Sequence, residues 1–409
     1  MKKFYFLLLV LCLMSIKTLY SQDVINLGVT DGIGAKLNAY VGTNTDVTVI
    51  VPAGYTSPEF ATSNIILSAI PATIKNLVIQ GDGTNPTLLM KGFTFPASSL
   101  TSFTVKDLTM KGLEDVVAGS PLSLGNYLAQ SGAVSITSLT IKNCTIANFR
   151  GVFRMNSGNS FTNVTIDGCT IRNIGTYNIL NTSSGATLTN FTVKNSTVYG
   201  VNGNVFASSA VVPATFTLSD CTFDNIGYVS GKFFIDLGAA NATTVLTITN
   251  SLFGKTLNSG FKGIQLGTAY TVSNSYTTTD WVTAANNVTG FTAYANASTS
   301  LFKSPSAYDG TNTTAPVGNY SLIDNTVGKT GDPKWYLATS VISPKASSTV
   351  ISYNGTAIVL NETQDLNVYS ITGELLKSAK KVNLLSVANL PKGAYIVKAG
   401  TATHKFIVY

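Results

Sequence analysis

Apolar and polar residues alternate in short runs through the middle of the chain, and the runs repeat. The segments Phe103-Thr-Val-Lys-Asp-Leu-Thr-Met110, Leu139-Thr-Ile-Lys-Asn-Cys-Thr-Ile146 and Val164-Thr-Ile-Asp-Gly-Cys-Thr-Ile171 align without gaps, as do Phe191 to Val198, Phe216 to Phe223, Leu246 to Phe253 and Tyr270 to Thr277. Their first positions are separated by 36, 25, 27, 25, 30 and 24 residues. That spacing suits one coil of a solenoid, with loop insertions in the longer intervals. In every copy the first and third positions are apolar, Tyr270 excepted, and the second is threonine: Thr104, Thr140, Thr165, Thr192, Thr217, Thr247 and Thr271. A period of two with β-branched residues predicts a strand with one buried face.

After the fifth position, Asp107, Asn143, Gly168, Asn195, Asp220, Asn250 or Asn274, the inward phase slips by one residue. Gly, Asn and Asp tolerate the left-handed backbone region, so this position predicts a sharp bend between two strands. A third strand per coil is predicted at 152–155, 177–180, 204–206, 233–237 and 263–266. Stacking such coils at the interstrand spacing of about 4.8 Å turns sequence columns into ladders of like residues. No coil buries its apolar face alone, so the repeat must recur and its ends need caps. The stretches Val47 to Gly54 and Leu77 to Gly83 read as the first, irregular coils.

The same columns bear on the cysteines. Cys144, Cys169 and Cys221 share one inward position, in which Cys alternates with Ser. In-register side chains of a parallel stack point the same way, which suits bridge geometry poorly. Free, buried thiols acting as small spacers are expected.

With 409 residues, 44% hydrophobic and 11% charged, the chain can bury a large core. Residues 1–21 carry Lys2 and Lys3, an apolar run from Phe4 to Ile16, and small Ser21 ahead of Gln22, the layout of a secretory signal peptide. No other apolar run is long enough to span a bilayer. The expected organisation is a signal at 1–21, a parallel β-helix at 22–340, a linker at 341–350 and a small β-sandwich at 351–409. The isoelectric point of about 9.0 would invite a nucleic-acid partner, but the charge sits elsewhere. The leader holds three lysines and no acid, the stretch 344–409 seven lysines against three acids, and residues 22–343 are balanced at 16 of each sign. No nucleic-acid partner is expected.

Two resemblances add to this reading. The Val51-Pro-Ala-Gly54 opening, the coils of the Leu-Thr-Ile-Lys-Asn-Cys-Thr-Ile type and the closing Gly331-Asp-Pro-Lys-Trp335 resemble the secreted pectate-lyase-like proteins of polysaccharide-degrading bacteria. That resemblance implies an all-β, right-handed parallel β-helix and a polysaccharide partner. One such scaffold hosts lyases, hydrolases, binders and adhesins, so it leaves the activity open. The tail, with Asn367 to Leu376, Leu390 to Val397 and the terminal Lys405-Phe-Ile-Val-Tyr409, resembles the type A sorting domain of the type IX secretion system. It implies that secretion machinery as a partner and a secreted or outer-surface location. The protein is expected to act as a monomer.

The only histidine, His404, lies in the tail, which excludes His-dependent chemistry from the main domain. No nucleophile elbow, phosphate loop or paired-Cys zinc motif occurs. No cofactor is evident. If the protein is an enzyme, the reading that survives is a polysaccharide lyase: carboxylates hold calcium over a uronate while an Arg or Lys takes the α-proton. All three arginines of the chain, Arg150, Arg154 and Arg172, fall in two neighbouring coils and are the catalytic or anion-binding candidates. On the third strand Arg154 is expected to be followed by Asn178, Asp236 and Gln265 as outward neighbours, a polar ladder suited to sugar, with Asp236 the metal candidate. Aromatic rings can stack on sugar faces, and Tyr177 and Trp281 are the leading candidates. Tyr199, Tyr228, Tyr270 and Tyr276 also fall near turns, whereas Trp335 reads as part of the C-terminal closure. The alternative to binding or degrading a glycan is a non-enzymatic surface adhesin or structural protein.

Overall fold

The computed structural model describes residues 22–56, 65–66, 70–90, 92–95, 98–112, 126–130, 134–208, 211–238, 243–287, 289–310, 317–336, 351–400 and 402–408. The predicted signal peptide and the predicted linker lie outside these residues. Two compact units are present, one on each side of residues 337–350.

The first unit is a parallel β-solenoid of about 8 turns. Its strands stack into a 10-stranded sheet from Gln22–Asn26 to Thr271–Ser273 (sheet 1), a 9-stranded sheet from Thr87–Leu89 to Thr292–Ala293 (sheet 2) and an 8-stranded sheet from Ile65–Ile66 to Lys262–Gln265 (sheet 3). Sheet 1 carries the threonine column in unbroken register, Thr104 on Thr140, then Thr165, Thr192, Thr217, Thr247 and Thr271. The residues on either side of each threonine point inward: Leu139, Ile141, Val164, Ile166, Phe191 and Val193 are at most 1% exposed.

All seven predicted bend residues adopt the left-handed conformation, with φ between 42° and 67°. Where the coil below carries a carboxylate at or just before its bend, the bend asparagine donates to it. Asn143 Nδ2 donates to Asp107 Oδ1 (3.1 Å), Asn195 to Asp167 (2.8 Å) and Asn250 to Asp220 (2.7 Å). Each bond offsets part of the cost of a non-glycine residue in this backbone region. A second bend, between sheets 2 and 3, was not anticipated. It stands five residues after the first and is occupied by Asn148, Asn173, Gly200 and Asn225, all at positive φ. Here the asparagines are buried, and Asn173 Nδ2 donates to Asn148 Oδ1 at 2.9 Å.

After the last coil the chain turns back and lies over sheet 2 as a strap. Gly331 N donates to Asn250 O (2.8 Å), Asp332 N to Thr222 Oγ1 (3.1 Å), Trp335 Nε1 to Thr197 Oγ1 (2.7 Å) and Lys334 Nζ to Thr170 Oγ1 (2.9 Å). The segment 331–335 thus makes contact with four successive coils. Beneath it Tyr199, Tyr320, Leu322 and Phe302 form a separate apolar cluster. Trp335 packs partly buried against that cluster, so the expected closing residue pins the strap to the face of the solenoid.

Cys144, Cys169 and Cys221 are free and buried, as their shared column implies. Burial pushes the Cys144 and Cys221 thiols up, away from the reactive thiolate. A thiol reagent is expected to find none of these three in the native protein and all three after denaturation without reductant. A count of one would mean that two are bridged.

The second unit is an antiparallel five-stranded sheet, nearly closed into a barrel, built from Ile351–Tyr353, Ala357–Ser370, Leu375–Ser386, Gly393–Ala399 and Ala402–Val408. It encloses its own core of Ile358, Leu366, Val368, Val397 and Phe406. The Thr372-Gly373 turn, with Gly373 at φ 91°, joins two of these strands.

Candidate functional site

Sheet 3 presents one outward-facing row, and the strand register defines it. Arg154 pairs with Asn181, Asn181 with Ala207, Ala207 with Asp236 and Asp236 with Gln265. Asn181, not Asn178, is thus the outward neighbour of Arg154. The strand begins at Leu180, because this coil is longer than an alignment of 154 with 178 allows. At about 4.8 Å per coil, Asp236 lies about 14 Å and Gln265 about 19 Å from Arg154 along the row. Arg154 and Asp236 are therefore too far apart to pair.

The displaced Asn178 sits in the turn before the strand at φ 66° and is 4% exposed. Its carbonyl accepts from Val152 N at 2.9 Å, while its Oδ1 is buried without a hydrogen-bond partner. Gly203 leaves the room beside that oxygen, since a Cβ there would stand 2.9 Å from it. An unpaired buried amide oxygen costs about 1–3 kcal/mol, so it marks a place where a donor is wanted.

Next to this turn, two arginines converge on one ring. The Arg150 guanidinium lies 3.6 Å and that of Arg154 4.8 Å from the centre of Tyr177. Tyr177 stacks one coil above Arg150, its N–H donating to Arg150 O at 2.9 Å. Among the described residues no arginine has an ion-pair partner, and Arg154 Nε is buried without a hydrogen bond. Two guanidiniums around one ring repel each other, and an anion between them would relieve that repulsion. Further along sheet 3, Lys262 Nζ lies 4.9 Å from the Phe233 ring centre. Neither Asn181 nor Lys262 stood out in the sequence; only the register places them on this face.

The other candidates separate from the row. Arg172 belongs to sheet 2, in register with Ala147 and Tyr199, one sheet away from Arg154. Trp281 packs edge-on against Phe253 and Phe234, with ring centres 5.1 and 5.6 Å away. It seals the C-terminal end of the core and does not form part of the row. Asp236 accepts from Gly238 N at 3.2 Å and has Ala207 and Gln265 as ladder neighbours. No group of three or more potential metal ligands occurs among the described residues. One carboxylate in such surroundings does not fit the six to eight oxygens that calcium takes.

The structure also reveals a buried acid on sheet 2. Asp224 follows Arg172 and Tyr199 in the same sheet 2 ladder and is completely buried beneath the strap. Its Oδ1 accepts from Lys255 N (2.7 Å) and its Oδ2 from the Tyr320 hydroxyl (3.2 Å). Burial pushes its carboxyl up to about 7, against hydrogen bonds that pull it down. Such a value is common in catalytic acids, but here the strap shuts the group away from any polymer.

Residues 59–201 match the family model described as a domain of unknown function, DUF4957. No curated protein and no solved structure matches the chain. The matched span contains Arg150, Arg154, Arg172, Tyr177 and Asn178, whereas Asp236, Gln265 and Trp281 lie beyond it.

Proposed function

We propose that the protein is exported to the cell surface or medium and binds acidic polysaccharide along sheet 3 of its solenoid. The observation that carries this reading is the Arg150–Tyr177–Arg154 cluster, two guanidiniums on one ring with no ion-pair partner among the described residues. A planar guanidinium matches a carboxylate with two parallel hydrogen bonds, and the row beyond it offers amides at Asn181 and Gln265 for hydroxyls. With Arg150, Arg154 and Lys262 against Asp236, the face is net positive. The signal-like leader, the sorting-like tail and the pectate-lyase-like coil pattern support an exported, glycan-directed protein. With no group of metal ligands among the described residues and the one histidine in the tail, binding is the simpler reading than cleavage.

Electrophoresis of the whole protein through gels containing polygalacturonate or alginate tests the proposal. Retardation is expected, and it should fade with added salt. Arg150→Ala and Arg154→Ala should each weaken it about tenfold, the loss of one charge-assisted contact. Free migration through both polyuronates would sink the reading and favour a non-binding structural or adhesive role. Following the absorbance of unsaturated uronate ends in the same mixtures, with calcium added, separates cleavage from binding.

A further inference from the structure

We infer that a second saccharide site, selective for neutral sugars, lies at the C-terminal end of the solenoid between the last strands of sheet 2 and the strap. A cavity of about 320 Å³ opens there, within the range of small-ligand pockets. Half-buried Tyr276 gives the cavity a ring, Tyr294 and Val327 lie mostly buried in its floor, and Asn296, Asp324 and Thr326 line it with polar groups. This combination suits a pyranose, which has an apolar C–H face and a rim of hydroxyls.

Asp324 is built to accept. Thr326 N donates to its Oδ1 at 2.8 Å and the Tyr294 hydroxyl to its Oδ2 at 2.7 Å. These bonds, the Thr326 amide first, hold its carboxyl below the ordinary value, so the group is ionised at neutral pH. An ionised carboxylate has about four lone-pair sites. Three are engaged here, by the Thr326 amide and side chain and by the Tyr294 hydroxyl, which leaves one for a sugar hydroxyl. Among the described residues no lysine or arginine lines the cavity. A uronate would therefore meet a like charge, whereas a neutral pyranose would not. The preference is the reverse of that at the Arg150–Arg154 pair, and the two positions lie on different sheets. A polymer of mixed acidic and neutral residues would engage both.

Saturation-transfer NMR on the full chain tests this with the methyl glycosides of glucose, galactose and mannose, and with galacturonate as the charged counterpart. Transfer to at least one neutral glycoside is expected, with little to galacturonate. Ala295 is an exposed residue of the cavity wall, so Ala295→Trp fills the space without entering the core and should abolish transfer. Asp324→Asn keeps the shape and removes the charge, and should weaken binding about tenfold. The inference is overturned if no neutral glycoside receives saturation, if transfer survives Ala295→Trp, or if polygalacturonate displaces the neutral sugar.

Discussion

Replacing Phe206 by alanine is expected to destabilise the solenoid by about 3–5 kcal/mol, the upper range for core truncations. Phe206 is fully buried on sheet 3 and touches rings from all three sheets. Its centroid lies 6.0 Å from Phe191 and 5.3 Å from Phe216 on sheet 1, 6.3 Å from Phe223 on sheet 2, and 5.9 Å from Phe234 on sheet 3. Removing the ring opens a cavity that coils on either side cannot close, because the register of three parallel ladders fixes their positions. Phe206→Leu should cost clearly less, since most of the volume remains. Phe234 also packs on Trp281, so tryptophan fluorescence in a urea titration reads the change directly. A Phe206→Ala midpoint within about 1 kcal/mol of wild type would mean that the aromatic cluster is not the centre of the core.

The second large effect is electrostatic and appears as a pH dependence. Asp224 titrates at about 7 in the folded protein against an ordinary 3.8, because it is desolvated under the strap. A raised carboxyl favours folding when protonated. Its contribution is full below about pH 4 and is lost as pH rises through about 7. At about 1.4 kcal/mol per tenfold change in proton affinity, the gap amounts to roughly 4 kcal/mol. Asp332 shifts in the same direction through its own burial, while Asp31, Asp82 and Asp324 shift the other way. The comparison of wild type with Asp224→Asn isolates the one group. The variant should match wild type near pH 4 and exceed it in stability near pH 8, with urea midpoints as the readout. Equal pH slopes for the two proteins would show that Asp224 is ionised or hydrated in the folded state.

These two residues differ in how visible they were in the sequence. Phe206 falls on a predicted third strand, and its burial follows from the column. Asp224 stands three residues after Cys221 in an ordinary polar position of the repeat. Nothing local distinguishes it from an exposed carboxylate. It is buried because residues 96 positions later, around Tyr320, return to cover it.

The candidate site divides along the same line. Arg150 and Arg154 flank the bend and strand of one coil, and Tyr177 falls one coil later, so their meeting is close to what the repeat spacing predicts. The row beyond them was misregistered at Asn178, since loop length between columns is free to vary where no side-chain period constrains it. Trp281 is a ring near a turn in the sequence, yet it caps the core, because the last coil has no further neighbour to bury its apolar face.

The sequence by itself determined the coil, its threonine ladder, the inward cysteines and the left-handed bends. These rest on a side-chain period of two and on which residues tolerate positive φ, both local properties. Only the tertiary structure decided which side chains share a surface: Asn181 and Lys262 on sheet 3, Arg172 and Asp224 on sheet 2, and the strap that leaves the first face open and closes the second. Those placements depend on loop lengths summed over several coils and on a return of the chain from more than a hundred residues away at Asp332 and Trp335. No pattern confined to one repeat contains them.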